Sequence, residues 1–266
     1  MNSLVKFKKD PVRLVDGRPL FISDTEFSGL HSDLHTGFIN RLKTALKKIP
    51  QLYAFIFYFL APAFFLGKQP KSIFQYAGGG KLIIDIGSGN RRLGPNVVNV
   101  DIHPWEQVDI LADAHDLPFA DNSVDGLVFS WVLEHMKDPI KVASEFRRVL
   151  KSGGYLYLST NFIFPYHPSP RDYYRWTSEG LRELFSDLEI VELKPTIGPM
   201  AAFLSVFQEW ASLILSFNSQ WLKDFLWILL VVTTSPLKLL DLLFIHYKFA
   251  ENISAGFYLI ARKPRT

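Results

Sequence analysis

Three acidic residues stand at or near the ends of successive apolar runs, a setting suited to a nucleoside-bearing ligand. The first lies in Leu82-Ile83-Ile84-Asp85-Ile86, which runs straight into Gly87-Ser88-Gly89. Two glycines one residue apart let the chain turn tightly and bring backbone N–H groups to a ligand with no Cβ in the way. The second, Asp101, closes the run from Asn96 to Asp101 and can accept hydrogen bonds from two neighbouring ribose hydroxyls. The third, Asp113, followed by Ala114, comes after the strand-like stretch Val108 to Leu111 and can meet an adenine edge.

A second set crowds the segment Pro165 to Thr177, PYHPSPRDYYRWT. His167 is its candidate general base, since imidazole titrates near neutral pH. His135, within Leu133-Glu134-His135, is the second candidate. For either ring the competing role is a structural hydrogen bond. Arg171 and Arg175 can bind an anionic substrate group or close salt bridges with Asp172 or Glu179. Tyr173, Tyr174 and Trp176 are aromatics placed to exclude water from a neighbouring site.

The elements that hold these residues are legible as alternating periods. Gly126 to Ser130 and Tyr155 to Thr160 are two further β-branched or aromatic runs. Between them, Asp138 to Leu150 puts Ile140, Val142, Ala143, Phe146, Val149 and Leu150 on one helical face, with Gly153-Gly154 beyond as its stop. Thr177 to Leu188 reads as a helix capped by Thr177, Glu189 to Leu193 as a strand, and Gly256 to Ala261 as the last strand. Apolar strands alternating with helices predict a doubly wound, Rossmann-like α/β domain, its mainly parallel sheet covered on both faces. In such a sheet ligands bind outside the strand ends, where the acids are.

The stretches LIIDIGSGN, NVVNVDIHP, DILADAHDLPFADNSVDGLVFSWVLEHMKDP and EFRRVLKSGGYLYLST, within residues 82–160, resemble the class I S-adenosylmethionine-dependent methyltransferases. The nearest group is the type-11 set, which includes quinone-biosynthesis methyltransferases, and TSEGLRELF and GFYLIARKP extend the likeness. The resemblance implies a seven-stranded sheet with cap segments, S-adenosylmethionine as cofactor, and a division into four parts. These are a hairpin and basic/apolar helical cap (1–75), the cofactor-binding core (76–195), an apolar helical cap insertion (196–253) and the last core strand (254–266). It also implies that Asp85, Gly87 and Gly89 hold the methionine end and Asp101 the ribose. Ile102 then packs on adenine, Asp113 and Ala114 meet its edge, and Ser130 lies beside the methionine moiety.

One departure matters. Only Asn90 to Pro95 (NRRLGP) separates Gly89 from the next strand, where the family has a third glycine and a helix. A parallel crossover normally takes a dozen or more residues, so an abbreviated turn is expected, with less helix-terminus support for an anion. Arg91 and Arg92 in that turn either replace it with charge-assisted bonds to the cofactor carboxylate or stand solvated.

Two apolar zones flank the core. Leu52 to Leu66 falls short of the roughly 20 apolar residues of a spanning helix, and residues 31–75 carry six Lys/Arg against one acid. Later, Phe203, Phe207, Trp210, Ile214 and Phe217 fall on one helical stripe, Phe225 to Thr234 is apolar on all sides, and Leu237 to Tyr247 is Leu-rich. Buried cap helices, a membrane patch facing a lipid-soluble acceptor, and true spans are the three readings. Near the start, LVDGRPLFIS (Leu14 to Ser23) resembles the hairpin end of zinc-ribbon modules that accompany some methyltransferases.

The absence of Cys excludes disulfides, thiolate metal sites and cysteine nucleophiles, so that hairpin carries no zinc, and no metal is expected elsewhere. A net charge of +3 is too small to point to nucleic acid. The basic N-terminus lacks the apolar region of a signal peptide, so a cytoplasmic location is expected, with peripheral contact on an anionic membrane face. The expected activity is methyl transfer to an O, N or C nucleophile of a lipophilic or lipid-linked acceptor. The alternatives are a soluble small-molecule or glycan acceptor, and a non-catalytic cofactor-binding or scaffold protein.

Overall fold

The structure is a computed structural model, and it describes residues 4–30, 65–168 and 171–265. One sheet organises them, in the order β1-β2-β5-β4-β3-β6-β7-β9-β8. Its centre is β3 (Ile83–Ile86), β4 (Val97–Asp101), β5 (Ile110–Leu111), β6 (Val124–Ser130) and β7 (Leu150–Asn161), all parallel. The last two strands, β8 (Glu189–Ile197) and β9 (Gly256–Arg262), pair antiparallel, with β9 inserted between β7 and β8. After β3 the chain moves outward through β4 and β5, then returns to place β6 on the other side of β3. The switch point is therefore the β3/β6 crevice, and the glycine turn opens onto it.

The expected seven strands are present, and two more extend them. β1 (Arg13–Val15) and β2 (Arg18–Leu20) form a hairpin whose Asp16 and Gly17 both have positive φ, 49° and 76°, as a tight primed turn requires. β2 continues the sheet beyond β5, with Leu20 opposite Leu111 and Phe21 N–H donating to Leu111 O at 2.8 Å. This hairpin lies at the edge of the sheet rather than over its strand ends. The short helix α1 (Asp24–Leu30) follows it. The run Leu52 to Leu66, apart from its last two residues, lies outside the described residues.

Helices cover both faces unequally. α3 (Pro139–Val149) and α4 (Ser178–Leu184) bury Val142, Phe146, Val149 and Leu181 against Leu127, Phe129, Leu156 and Leu158. Asp138 caps α3 by accepting from Lys141 N–H, and Thr177 caps α4 by accepting from Gly180 N–H, each at 3.0 Å. Two local expectations differ. Ile140 points to solvent, and Gly153-Gly154 lies within β7, because the strand begins directly where α3 ends. On the other face α2 (Ile73–Ala77) packs with Ile83, Val128, Tyr157 and Ile260. The 87–96 crossover adds only Leu93 there, having no helix.

The C-terminal helical layer consists of α5 (Pro199–Leu215), α6 (Gln220–Thr234), a 3-10 segment Ser235–Leu240 and α7 (Asp241–Phe244). Its polarity is inverted. The face of α5 turned inward carries Leu204 among small and polar residues, Ala201, Ala202, Ser205, Gln208, Ala211 and Ser212, while Phe203, Trp210 and Ile214 are 56–59% exposed. Small residues let α6 approach closely, as between helices in a bilayer, and Gln208 donates to Thr234 Oγ1 at 2.8 Å. Lys238 and Asp241, the charges in the later half of the run, are buried, and Asp241 accepts from Met200 and Ala201 N–H at 2.7 and 2.8 Å. That carboxylate sits at the N-terminus of α5, where the helix dipole favours it. Gln220–Phe244 has a mean hydropathy of 1.7 and is long and apolar enough to cross a membrane, by length and composition.

Candidate active site at the strand ends

The turn after β3 depends on its glycines for two different reasons. Gly87 has φ 66°, and a Cβ there would stand 2.5 Å from a methyl of Val132, so only glycine lets the turn pass beneath that residue. Gly89 has φ 55°, and a Cβ there would meet nothing within 4 Å, so this side of the turn is an open shelf. Asp101 locks the shelf to the end of β4, accepting from Gly89 N–H at 2.8 Å and from His103 N–H at 2.9 Å. Burial raises the pKa of Asp101 above the ordinary carboxylate range against the pull of these two donors. Each of its oxygens keeps a lone pair for a ligand hydroxyl. Such a carboxylate beside an open glycine shelf fits the ribose end of an adenosyl cofactor.

Asp85 has a different task from the one expected of it. It is fully buried and paired twice to Arg91, at 3.1 Å to Nε and 2.7 Å to Nη2. Burial raises its pKa, and the adjacent Arg91 charge opposes that shift. Asp85 thus orients Arg91, whose remaining N–H donors fit a carboxylate. Arg92 is neither solvated nor available. All its N–H groups are engaged, by Asp109 at 2.9 and 3.0 Å, by Val97 O, and by the backbone and side-chain oxygens of Gln107. This arginine, with Asn99 donating to Arg91 O and Gln107 O, replaces the missing crossover helix as a polar staple.

The remaining cofactor candidates are distributed along the same edge. Ile102 packs with Trp105 against the core beside the hairpin. Asp113 accepts from the backbone N–H of His115 at 2.9 Å and faces its ring Nδ1 at 2.7 Å. Burial alone would raise its pKa, but these bonds lower it. Ala114 is buried beside it. Ser130 Oγ lies 2.8 Å from Ser159 Oγ inside the sheet, which directs the hydroxyl toward β7. After Ser130 comes Trp131, whose φ of 59° is uncommon for a bulky residue and marks local strain at this edge.

The histidine segment docks onto the Leu133–His135 turn through Tyr173 and Tyr174, whose N–H groups donate to Glu134 O at 2.8 and 3.2 Å. The Glu134 side chain is fully buried and accepts from Thr160 Oγ1 at 2.9 Å and Asn161 Nδ2 at 2.6 Å. The same Asn161 amide lies 3.2 Å from His167 Nε2. Glu134, His135 and His167 each bring one ligand atom within 4.8 Å of the others, and Asn161 Nδ2 bridges Glu134 and His167 from one side. Burial raises the pKa of Glu134, against the pull of its hydrogen-bond donors.

The neighbouring acceptors fix the tautomers. His167 Nδ1 faces only acceptors, Pro165 O and Asp172 Oδ2, each at 3.2 Å, so it carries the proton and Nε2 accepts from Asn161. Burial lowers the pKa of His167, against the raising effect of Asp172, and keeps the ring neutral. His135 Nδ1 lies 2.6 Å from Arg171 O and must donate, which leaves Nε2 as the proton-accepting atom. The two rings meet edge to face, 5.2 Å apart. Among the described residues, His135 Nε2 is the ring nitrogen of this pair left without a hydrogen-bond partner, while both nitrogens of His167 are engaged.

The substrate candidates also divide. Every N–H donor of Arg175 is engaged, by Asp172 at 2.6 Å twice and by the carbonyls of Phe164, Pro165 and Tyr174. Arg175 is a clamp and has no donor left for a substrate. The guanidinium of Arg171 is exposed and makes no ion pair among the described residues. Tyr173 and Tyr174 are 42% and 38% exposed beside it. Sequence reasoning missed Asn161, Glu134 as a buried hub, and Trp131. The Trp131 ring packs on Phe65 at 5.5 Å and joins the apolar cluster of Ile197, Ala201, Ala202 and Ala255.

Residues 78–158 match the family model of a methyltransferase domain. Over 98 residues the chain is 36% identical to an uncharacterized methyltransferase of Mycobacterium sp. (strain KMS), covering 30% of this chain and 39% of the relative. It is also 36% identical over 83 residues to a demethylmenaquinone methyltransferase of Symbiobacterium thermophilum, with 30% and 32% covered. The chain thus spans well under half the length of the curated relatives it matches. Among solved structures it is similar to a phosphoethanolamine N-methyltransferase 2 of Haemonchus contortus in complex with S-adenosyl-L-methionine. That likeness has 20% identity, a TM-score of 0.47, and coverage of 74% of this chain and 52% of the other.

Proposed function

We propose that this chain, which carries a class I methyltransferase domain of the type-11 group, moves a methyl group from S-adenosylmethionine to a nucleophile on a lipophilic or lipid-linked acceptor at a membrane surface. The observation that carries the acceptor half is the continuity between the strand ends and the inverted helical layer. Trp131, one residue past β6, shares an apolar cluster with Ala201 and Ala202 on the inner face of α5, whose outer face is Phe203, Trp210 and Ile214. This apolar continuity supports an acceptor that carries a hydrocarbon part.

S-adenosylmethionine supplies the sulfonium methyl group and the thioether that leaves with the bonding electron pair. Asp101 holds the ribose hydroxyls, the backbone at Gly89 lies along the ligand, and Arg91 meets the carboxylate while Asp85 fixes its direction. His135 Nε2 takes the acceptor's proton as the new bond to carbon forms, its orientation held by the Arg171 carbonyl. Arg171 meets an anionic group on the acceptor, and Tyr173 and Tyr174 shield the site. Proximity and a dry site are the protein's contribution.

The test is transfer of labelled methyl from S-adenosylmethionine into an extract of total membrane lipids, followed by phase separation. Label in the organic phase supports the reading. Label found only in aqueous acceptors overturns the lipophilic half, and no transfer to any acceptor despite cofactor binding supports a non-catalytic role.

A further inference from the structure

Between the β8 edge and α7 lies a cavity of about 320 Å3. Its polar lining is Lys68, Lys194, His246 and Tyr258, whose hydroxyl donates to Glu192 Oε1 at 2.7 Å, and its apolar lining includes Leu66, Leu242 and Ile245. Glu192 lies between the two ammonium groups, 2.5 Å from Lys68 Nζ and 3.2 Å from Lys194 Nζ. Burial acts to raise the Glu192 pKa, but hydrogen bonds from Lys68, Tyr258 and Lys194 together hold it down to about 2, so this carboxylate is ionised at neutral pH. One negative charge between two positive ones leaves a net cation at the cavity, with the His246 ring beside it. Lys194 is 66% exposed and keeps donors directed away from Glu192.

The surroundings select what kind of anion fits. Leu242, which lines the cavity, is also 52% exposed on the outside of α7. From it a surface of Leu239, Leu243, Tyr247 and Phe249 extends, each at least half exposed. Lys238 and Asp241 are turned inward, so no Lys, Arg, Asp or Glu between Phe225 and Tyr247 is exposed on this surface. A cationic recess opening onto such a slope matches an amphiphile with an anionic head and hydrocarbon tails. A free phosphate would use the recess and leave the slope in water.

We propose that this cavity binds the phosphate of an anionic phospholipid headgroup, with the acyl chains lying along Leu239, Leu242 and Leu243. The site orients α5 to α7 on the membrane and rests on the membrane reading of the preceding subsection. Lys68 supports the recess through Tyr76 and Glu192, and Lys194 and His246 are the groups that meet the lipid.

The experiment is co-sedimentation of the full chain with phosphatidylcholine vesicles, with and without phosphatidylglycerol, for wild type, Lys194→Gln/His246→Gln and Lys194→Arg. Wild type is expected to bind the anionic vesicles more tightly. The double variant should lose about tenfold of that affinity or more, from roughly 1 kcal/mol per basic group at the surface. It should keep its affinity for neutral vesicles and for S-adenosylmethionine, and Lys194→Arg should behave as wild type. A double variant equal to wild type on anionic vesicles overturns the headgroup site and leaves the membrane reading intact. Wild type that sediments with neither vesicle overturns the membrane reading, and with it this site. Glycerophosphate that displaces the protein from vesicles at concentrations matching the lipid marks a simple anion site and overturns the lipid assignment.

Discussion

Arg91 folds back over its own turn to close two hydrogen bonds on Asp85, and that pair holds the shortened crossover in place. The carboxylate is fully buried while the guanidinium is one-third exposed, so the pair has a protein side and a ligand side. Arg91→Ala strands a buried charge and should destabilise the fold by about 3 kcal/mol, the low end for a broken buried pair. Adding Asp85→Asn should recover most of that loss. Affinity for S-adenosylmethionine should remain reduced in the double variant, while 5′-methylthioadenosine, which has no carboxylate, binds nearly as before. Equal losses for both ligands in calorimetry would remove the carboxylate contact.

Asp101 is the residue on which cofactor affinity should depend most. Asp101→Asn keeps the shape and an acceptor for one of the two N–H donors, yet loses the charge. Hydrogen bonds to a charged group contribute about 1.5–3 kcal/mol, so affinity should fall tenfold or more. Melting temperature should change less than in Asp101→Ala, which leaves both donors without an acceptor. Unchanged affinity in Asp101→Asn would place the ribose elsewhere.

The two histidines should separate in a pH–rate profile. His135→Gln should lower methyl transfer by about 10²–10⁴-fold and flatten the acidic limb, as expected for loss of a general base. His167→Gln should lower the rate through a displaced segment and leave the shape of the profile intact. If His167→Gln flattens the limb while His135→Gln does not, the tautomer argument is wrong.

Acid should loosen the histidine segment. Burial of Asp172 acts to raise its pKa, but Arg175 and His167 N–H pull it down to about 2. A depressed pKa stabilises the fold above the unfolded value near 3.9, and that stability is lost as pH falls through about 2. The full contribution is about 2.5 kcal/mol, at about 1.4 kcal/mol for each tenfold change in proton affinity. The stability gap between wild type and Asp172→Asn should therefore be constant above about pH 5 and narrow toward pH 2 in denaturant unfolding. A gap that stays constant to pH 2 would contradict the ion pair.

On the outer face of α5, Phe203, Trp210 and Ile214 can be replaced by Ser with little change in melting temperature, because each is more than half exposed. The same triple variant should lose vesicle binding, read by co-sedimentation, and keep cofactor affinity. Unfolding of this variant would mean the stripe is covered in solution.

The strands around the crevice were legible because burial on both faces requires continuous apolar runs, and Asp85, Asp101 and the glycines could be placed from those runs alone. The helix over 139–149 and its Asp138 cap were legible for similar local reasons. Orientation was not. Periodicity locates the Phe203 to Phe217 stripe but carries no sign, and the small, partly polar opposite face is the one that packs. Pairings across long separations were equally hidden. Arg92 with Asp109, and Asn161 between Glu134 and His167, depend on which strands become neighbours. Once that is known, donor counting decides which ring nitrogen is available.

The small hairpin also governs how the sheet ends. Without it the parallel sheet would stop at β5, a two-residue strand with an open row of backbone donors and acceptors. β1 and β2 move that boundary outward to a strand of three residues, with Pro19 on its partner and Arg13 tied to Asp24. At the far side β8 is likewise interrupted by Pro195 and carries Glu192 and Lys194. Short, charged, proline-bearing rims discourage strand addition from another molecule. In a protein with so much exposed hydrocarbon on α5 to α7, aggregation should therefore proceed through the helices and leave the sheet unextended.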